Sequence, residues 1–262
     1  MTTSLSIFDL WSPLEVEQDS SVLWQCGNLT LYVRRLEYDW LIASSYADED
    51  TDEMRIEYDA EFPEGLEFQR YALNQDTSHL RFIPNMPRRP LLFRPNHPLV
   101  LPSQAKILFY VSIPLWITPV LGQGADTVVT NEIPVKPPSD SWFGEHTEGQ
   151  LCFALRTFAR RRLDAFSVSP HRAICPVLIH NQSSLSLDCV QVCLRAKYLN
   201  IYQGIQRLWT NQVSVHYHGT HLLSNVSYAT KPPTQARTPM LLTAAIEHPP
   251  HNFLLKTFGL SE

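Results

Sequence analysis

The chain has 262 residues, 44% of them hydrophobic and 18% charged, and a net charge of −5. That apolar content can bury a core, which excludes a disordered chain, and the length points to about two domains. Twenty prolines against nine glycines indicate many short elements with rigid connections, because proline interrupts helix interiors and central strand ladders.

The first ten residues lack a basic region and reach Asp9 before any long apolar run, so no secretory leader is expected and the cytoplasm is the expected compartment. After the turn-prone Gly27-Asn28, the residues Leu29, Leu31 and Val33 alternate with Thr30, Tyr32 and Arg34. This period of two marks a half-buried strand and predicts a hairpin or meander over residues 22–43. The acidic run Asp48, Glu49, Asp50, Asp52 and Glu53 is expected as an exposed loop, followed by strands near residues 54–58, 66–70 and 80–83. Pro84, Pro87, Pro90, Pro95, Pro98 and Pro102, interspersed with Arg88, Arg89 and Arg94, predict a stiff extended connection. It separates an acidic N-terminal β-domain (1–97) from a C-terminal sandwich-like β-domain (98–262), with the junction within residues 85–104.

From Ile107 to Ile117 every odd position is apolar, which predicts a long strand over residues 105–120 with Ile107, Phe109, Val111, Ile113 and Ile117 facing a core. The stretch is too short for a spanning helix and is broken by Pro114 and Pro119, so no membrane span is expected. Residues 122–149 read as a polar, proline-bearing loop covering one end of a sheet. Strands resume at residues 151–158, 173–180, 185–194, 198–202, 212–217 and 221–228, the spacing of a sandwich or jelly roll. After Pro239 the segment up to Glu247 holds good helix formers and predicts a short helix. The fold class is therefore all-β, two sandwich or jelly-roll-like domains with a short C-terminal helix.

Charge is uneven along the chain. Up to Asp76 there are seventeen acidic and four basic residues; beyond it there are nine and seventeen. Regions of opposite sign can meet within the chain, meet across copies, face separate partners, or simply be solvated. The five cysteines, Cys26, Cys152, Cys175, Cys189 and Cys193, form no CxxC pair, which fits reduced buried thiols better than a disulfide frame or a zinc knuckle. Cys189 and Cys193 share a face if one regular strand holds both, and flanking apolar residues make them packed thiols. The sequons at Asn28, Asn181 and Asn225 are chance matches in an unsecreted chain.

Two constellations invite a functional reading. His216 and His218 alternate on one strand and so share a face, with His221 three residues on, a spacing from which two imidazoles can take one metal. A third ligand would come from His180, His171, Asp188 or Glu145; otherwise the pair faces solvent opposite Val213, Val215 and Tyr217. Arg160, Arg161 and Arg162, with Arg156, Phe158 and Phe166 nearby, combine guanidinium groups for phosphate with aromatic rings for bases. The overall acidity disfavours nucleic acid, and acidic protein surfaces compete for the same run, the chain's own residues 48–53 among them. There is no P-loop, G-x-S-x-G elbow, H-E-x-x-H or G-x-G-x-x-G, and no cofactor is expected.

The segments GNLTLYV (27–33), LPSQAKILFYVSIP (101–114), LCFAL (151–155) and PVLIHNQS (176–183) resemble the prokaryotic family designated domain of unknown function 432. The resemblance covers most of the chain and rests on apolar strand motifs, so it transfers no catalytic residue. It also implies a cytosolic regulatory role beside a membrane channel, since such genes neighbour those of small mechanosensitive channels. The favoured expectation is a non-enzymatic interaction or regulatory protein that binds another macromolecule, a protein partner or a second copy. Its contact surfaces would be the acidic residues 48–67 and the basic residues 156–162. The alternative is a metal-dependent enzyme or small-ligand binder using His216 and His218.

Overall fold

Apolar and polar residues alternate along several strands of the computed structural model, which describes residues 6–145, 147, 149–155, 158–219, 224–249, 254 and 255. A four-residue helix, α1 (Ile7–Leu10), precedes β1 (Leu14–Glu15), β2 (Ser21–Cys26), β3 (Leu29–Arg35), β4 (Asp39–Tyr46), β5 (Met54–Tyr58), β6 (Phe68–Ala72) and β7 (His79–Asn85). Next come β8 (Leu91–Phe93), β9 (Leu99–Leu101), β10 (Lys106–Pro114), β11 (Trp116–Leu121), β12 (Val128–Val129), β13 (Ile133–Pro134), β14 (Ser139–Phe143) and β15 (Gln150–Ala154). The remainder is β16 (Arg172–Asn181), β17 (Leu187–Cys189), β18 (Val192–Leu194), β19 (Ile201–Gln203), β20 (Leu208–Thr210), β21 (Val213–Tyr217), β22 (Ser224–Tyr228), β23 (Met240–Thr243) and β24 (Leu254–Leu255). The fold is all-β and sandwich-like, as the periodicity requires. It divides into one unit of Met1–Asn85, Pro114–Pro137 and Val168–His171 and another of Met86–Ile113, Pro138–Ser167 and Arg172–Glu262.

In the first unit an antiparallel sheet ordered β5-β2-β3-β4-β6 packs on a second, β1-β7-β11-β12, to which β13 adds alongside β11. The facing rows follow from strand parity. On β3, Leu29, Leu31 and Val33 are fully buried, Thr30 and Tyr32 are half-buried and Arg34 is exposed. Trp24 of β2 stacks on Phe82 of β7 with ring centroids 4.5 Å apart, and its indole N–H donates to the Leu10 carbonyl at 3.1 Å. The β2–β3 hairpin turns at Gly27, whose φ of +60° lies in the left-handed region that glycine adopts without steric cost.

In the second unit the largest sheet runs β23-β19-β20-β16-β21-β22-β24, with β10 also on β16. β16 pairs in parallel with both β20 and β21, an arrangement that needs a long crossover, supplied here by the chain between β16 and β20. The register slips by one residue between Ile174↔Trp209 and Val177↔Val213. Pro176 lies at that slip and has no N–H to give to a ladder. Tyr110, Ile174, Tyr202, Trp209 and Ala236 form one buried cluster, with Leu163 and Phe166 packed against it. A four-stranded sheet, β14-β15-β8-β18, and the pair β17-β9 complete the unit.

Three expectations are corrected. The C-terminal helix is absent among the described residues: Met240–Thr243 is β23, an edge strand paired with β19, because ladder hydrogen bonds outweigh a weak helix propensity. The supposed loop at 122–149 contains β12, β13 and β14. Cys189 and Cys193 belong to different strands in different sheets, β17 with β9 and β18 with β8. The run over residues 105–120 is extended throughout but breaks after Pro114 into β10 and β11, and Ile107, Phe109, Val111, Ile113 and Ile117 are all buried.

Candidate functional site

The first unit holds a cavity of about 520 Å³, within the range of small-ligand pockets. Arg35, residues 73–79, Gln123 and residues 125–128 line it. It forms where β3 ends, β7 begins and the chain leaves β11. Gly122, φ +81°, makes the return turn there; a Cβ on it would lie 2.7 Å from the Asp126 carbonyl oxygen.

Arg35 is the principal residue of this site. It continues the inward row of Leu29, Leu31 and Val33, so strand parity directs a guanidinium where an apolar side chain would otherwise go. Its side chain is only 8% exposed. Nη1 donates to the Val16 carbonyl at 2.7 Å and Nη2 to Asp76 Oδ1 at 2.5 Å, while the buried Nε has no hydrogen-bond partner. An unsatisfied buried donor on a charged group costs on the order of 1–3 kcal/mol or more. Asp76 and Asp126 supply negative charge, and Gln123, Thr77 and Thr127 supply neutral polar groups.

On the same rim Ser78, His79 and Glu15 are close together. Ser78 Oγ donates directly to Glu15, His79 Nε2 lies 2.9 Å from the other Glu15 oxygen, and Ser78 Oγ is 3.5 Å from His79 Nδ1. The hydroxyl is thus committed to the carboxylate, and the imidazole is not placed as its base.

His216 projects from β21 opposite the buried Val213, Val215 and Tyr217 and is half-buried, and His218 is exposed just beyond the strand. Strand register brings His180 of β16 beside His216, with ring centroids 5.6 Å apart. Burial, then the charges of Lys106, His216 and His218, lower the His180 pKa. His221 lies outside the described residues, and among those described no three His, Cys, Asp or Glu side chains converge on a metal position. His171 sits elsewhere, buried against Gly27 with Nδ1 3.6 Å from Asp52.

The acidic residues Asp48, Glu49, Asp50, Asp52 and Glu53 occupy an exposed loop with internal anchors. Asp50 pairs with Lys136, and the Glu49 carbonyl accepts from Asn28 Nδ2 at 2.9 Å. Arg160, Arg161 and Arg162 are exposed. Arg160 donates to the Ala165 carbonyl at 2.6 Å and lies over the Phe166 ring at 5.5 Å, and Arg162 pairs with Asp164. Arg156 lies outside the described residues.

A family model described as "Protein of unknown function (DUF432)" matches residues 10–261. The chain belongs to this family. No curated protein and no solved structure shows significant similarity to it. In this DUF432 protein two of the three sequons serve the fold: Asn28 and Asn181 are buried, and the Asn181 amide donates to the carbonyls of Leu101, Pro102 and Leu185. No described helix of the DUF432 chain is long and apolar enough to cross a membrane.

The sequence reading of this DUF432 protein passed over Arg35. The signal was present, since a charge falls on the core-facing parity of β3. What the one-dimensional pattern lacked was residues 73–79 and 123–128, which turn that position into a cavity wall.

Proposed function

We propose that this protein is a binding protein of regulatory type whose first unit takes a small, net-neutral polar ligand in the cavity at Arg35. Arg35, a largely buried cation in the wall of a 520 Å³ cavity, carries this reading. Arg35 calls for a ligand acceptor, and Asp76 and Asp126 call for ligand donors such as hydroxyl or ammonium groups. Two carboxylates against one guanidinium repel a polyanion, so nucleotides and polyphosphates are disfavoured. The reading is tested by thermal unfolding against monosaccharides, nucleosides and free α-amino acids. A ligand present at about 100 times its Kd stabilises by about 2.7 kcal/mol. Ala125→Trp, which fills the cavity while leaving the Arg35–Asp76 pair intact, should abolish the shift. No shift from any of the three classes would count against the reading.

A macromolecular partner is the second reading, favoured by Arg161, which is exposed between Arg160 and Arg162. An acidic protein surface or a second copy suits such a run better than nucleic acid. Binding that is unaffected by Arg161→Glu and independent of salt would remove this reading.

A further inference from the structure

We infer that His180 and His216 of the second unit form a zinc site, two imidazoles on neighbouring strands that take one divalent ion between them. The parallel register of β16 and β21 sets the two residues side by side, and residues paired in this way project from the same face of a sheet. On β16 His180 lies between the buried Ile179 and Asn181, and on β21 His216 lies between the buried Val215 and Tyr217. Both rings therefore stand on the face away from those neighbours, half-buried and held by the strand ladder rather than by a loop.

Their spacing suits a shared ion. With zinc–nitrogen bonds of about 2.0–2.1 Å and each ring centre about 1.1 Å behind its bonding nitrogen, both centroids would stand about 3.2 Å from the metal. Centroids 5.6 Å apart then subtend about 120° at the ion, close to the tetrahedral angle of zinc and well away from the right angle of a square-planar copper(II) or nickel(II) site. The rings meet edge to face at 64°. Turning each about its Cβ–Cγ bond, a soft torsion, aims a nitrogen at the common position and barely moves either centre.

Two protein ligands make an open site, unlike a structural zinc whose four ligands all come from the chain. Among the described residues no third His, Cys, Asp or Glu converges on the pair, so the remaining positions fall to water or to an exogenous ligand. Lys106 opposes a cation here. It follows Ala105, whose carbonyl accepts from the Asn181 N–H at 3.0 Å, and its charge reaches His180. Lys106 is exposed, so water screens that charge and the long side chain can carry it away. The competing occupant is an anion held by Lys106 and two protonated rings, and the two occupants respond oppositely to removal of the lysine.

The test titrates zinc sulfate into the full-length protein, free of any affinity tag and stripped with EDTA, at pH 7.5. Calorimetry reads the binding, and ¹⁵N–¹H correlation of the histidine rings reads the place. The expected result is one zinc per chain with the His180 and His216 ring signals moving together, and binding weakened at least about tenfold in His180→Gln and in His216→Gln. Lys106→Gln should bind zinc at least as tightly as the parent, because a repelling charge is gone. Zinc binding that survives His180→Gln unchanged, with only the His216 and His218 rings moving in the parent, would overturn the assignment. So would a parent that takes up no zinc, or a loss of binding in Lys106→Gln. Because the ring signals are read in the parent, the test stands even if a variant fails to fold.

Discussion

Replacing Gly27 by alanine should destabilise the first unit through two separable effects. The added Cβ would lie 2.4 Å from Nδ1 and 2.6 Å from Cγ of His171, well inside van der Waals contact, and His171 is buried and cannot swing into solvent. Overpacking of this kind costs about 1–3 kcal/mol. The φ of +60° adds about 1–2 kcal/mol for any residue with a Cβ, so the single variant should lose about 2–5 kcal/mol. Urea unfolding of Gly27→Ala, His171→Ala and the double variant separates the terms. With the imidazole removed, Gly27→Ala should cost only the backbone share of about 1–2 kcal/mol. A loss below 1 kcal/mol in the single variant, or an equal cost in both backgrounds, would refute the close approach of hairpin and imidazole.

Two further outcomes follow from packing and titration. Phe82→Ala, which removes the ring stacked on Trp24, should lower stability by about 3–5 kcal/mol in urea unfolding followed by tryptophan fluorescence. For His180 the folded pKa is lowered below the ordinary 6.5 by burial and then by the charges of Lys106, His216 and His218. As pH falls through 6.5 the unfolded chain takes up the proton first, so stability declines, and the decline ends once the folded protein is protonated as well. His180→Gln should flatten that dependence between pH 7.5 and 5.5 in urea titrations; an unchanged slope would mean that His180 does not contribute it.

Strand rows that obey a strict period of two were legible from sequence, as at Leu29, Leu31 and Val33 or at Val213, Val215 and Tyr217, because burial on one face of a sheet leaves that imprint. Short strands buried on both faces were not: Leu208, Trp209 and Thr210 of β20 are all buried and show no alternation. Met240–Thr243 misled in the other direction, since its exposed Met240 and Leu241 suit a helix as well as an edge strand and only pairing with β19 decides. Sites depend on contacts distant in sequence. His180 and His216 are joined by a parallel register that no hairpin rule predicts.

The most direct measurement is of the Arg35 Nε–H itself, by ¹⁵N–¹H correlation of arginine side chains, with the Arg35 signal assigned from its loss in Arg35→Lys. Adding the sugar, nucleoside or amino acid that raises the unfolding temperature should shift that one resonance, as the ligand's acceptor engages the guanidinium. A ligand that stabilises the protein while leaving the Arg35 Nε–H signal unmoved would contradict the claim that the cavity at Arg35 is where it binds.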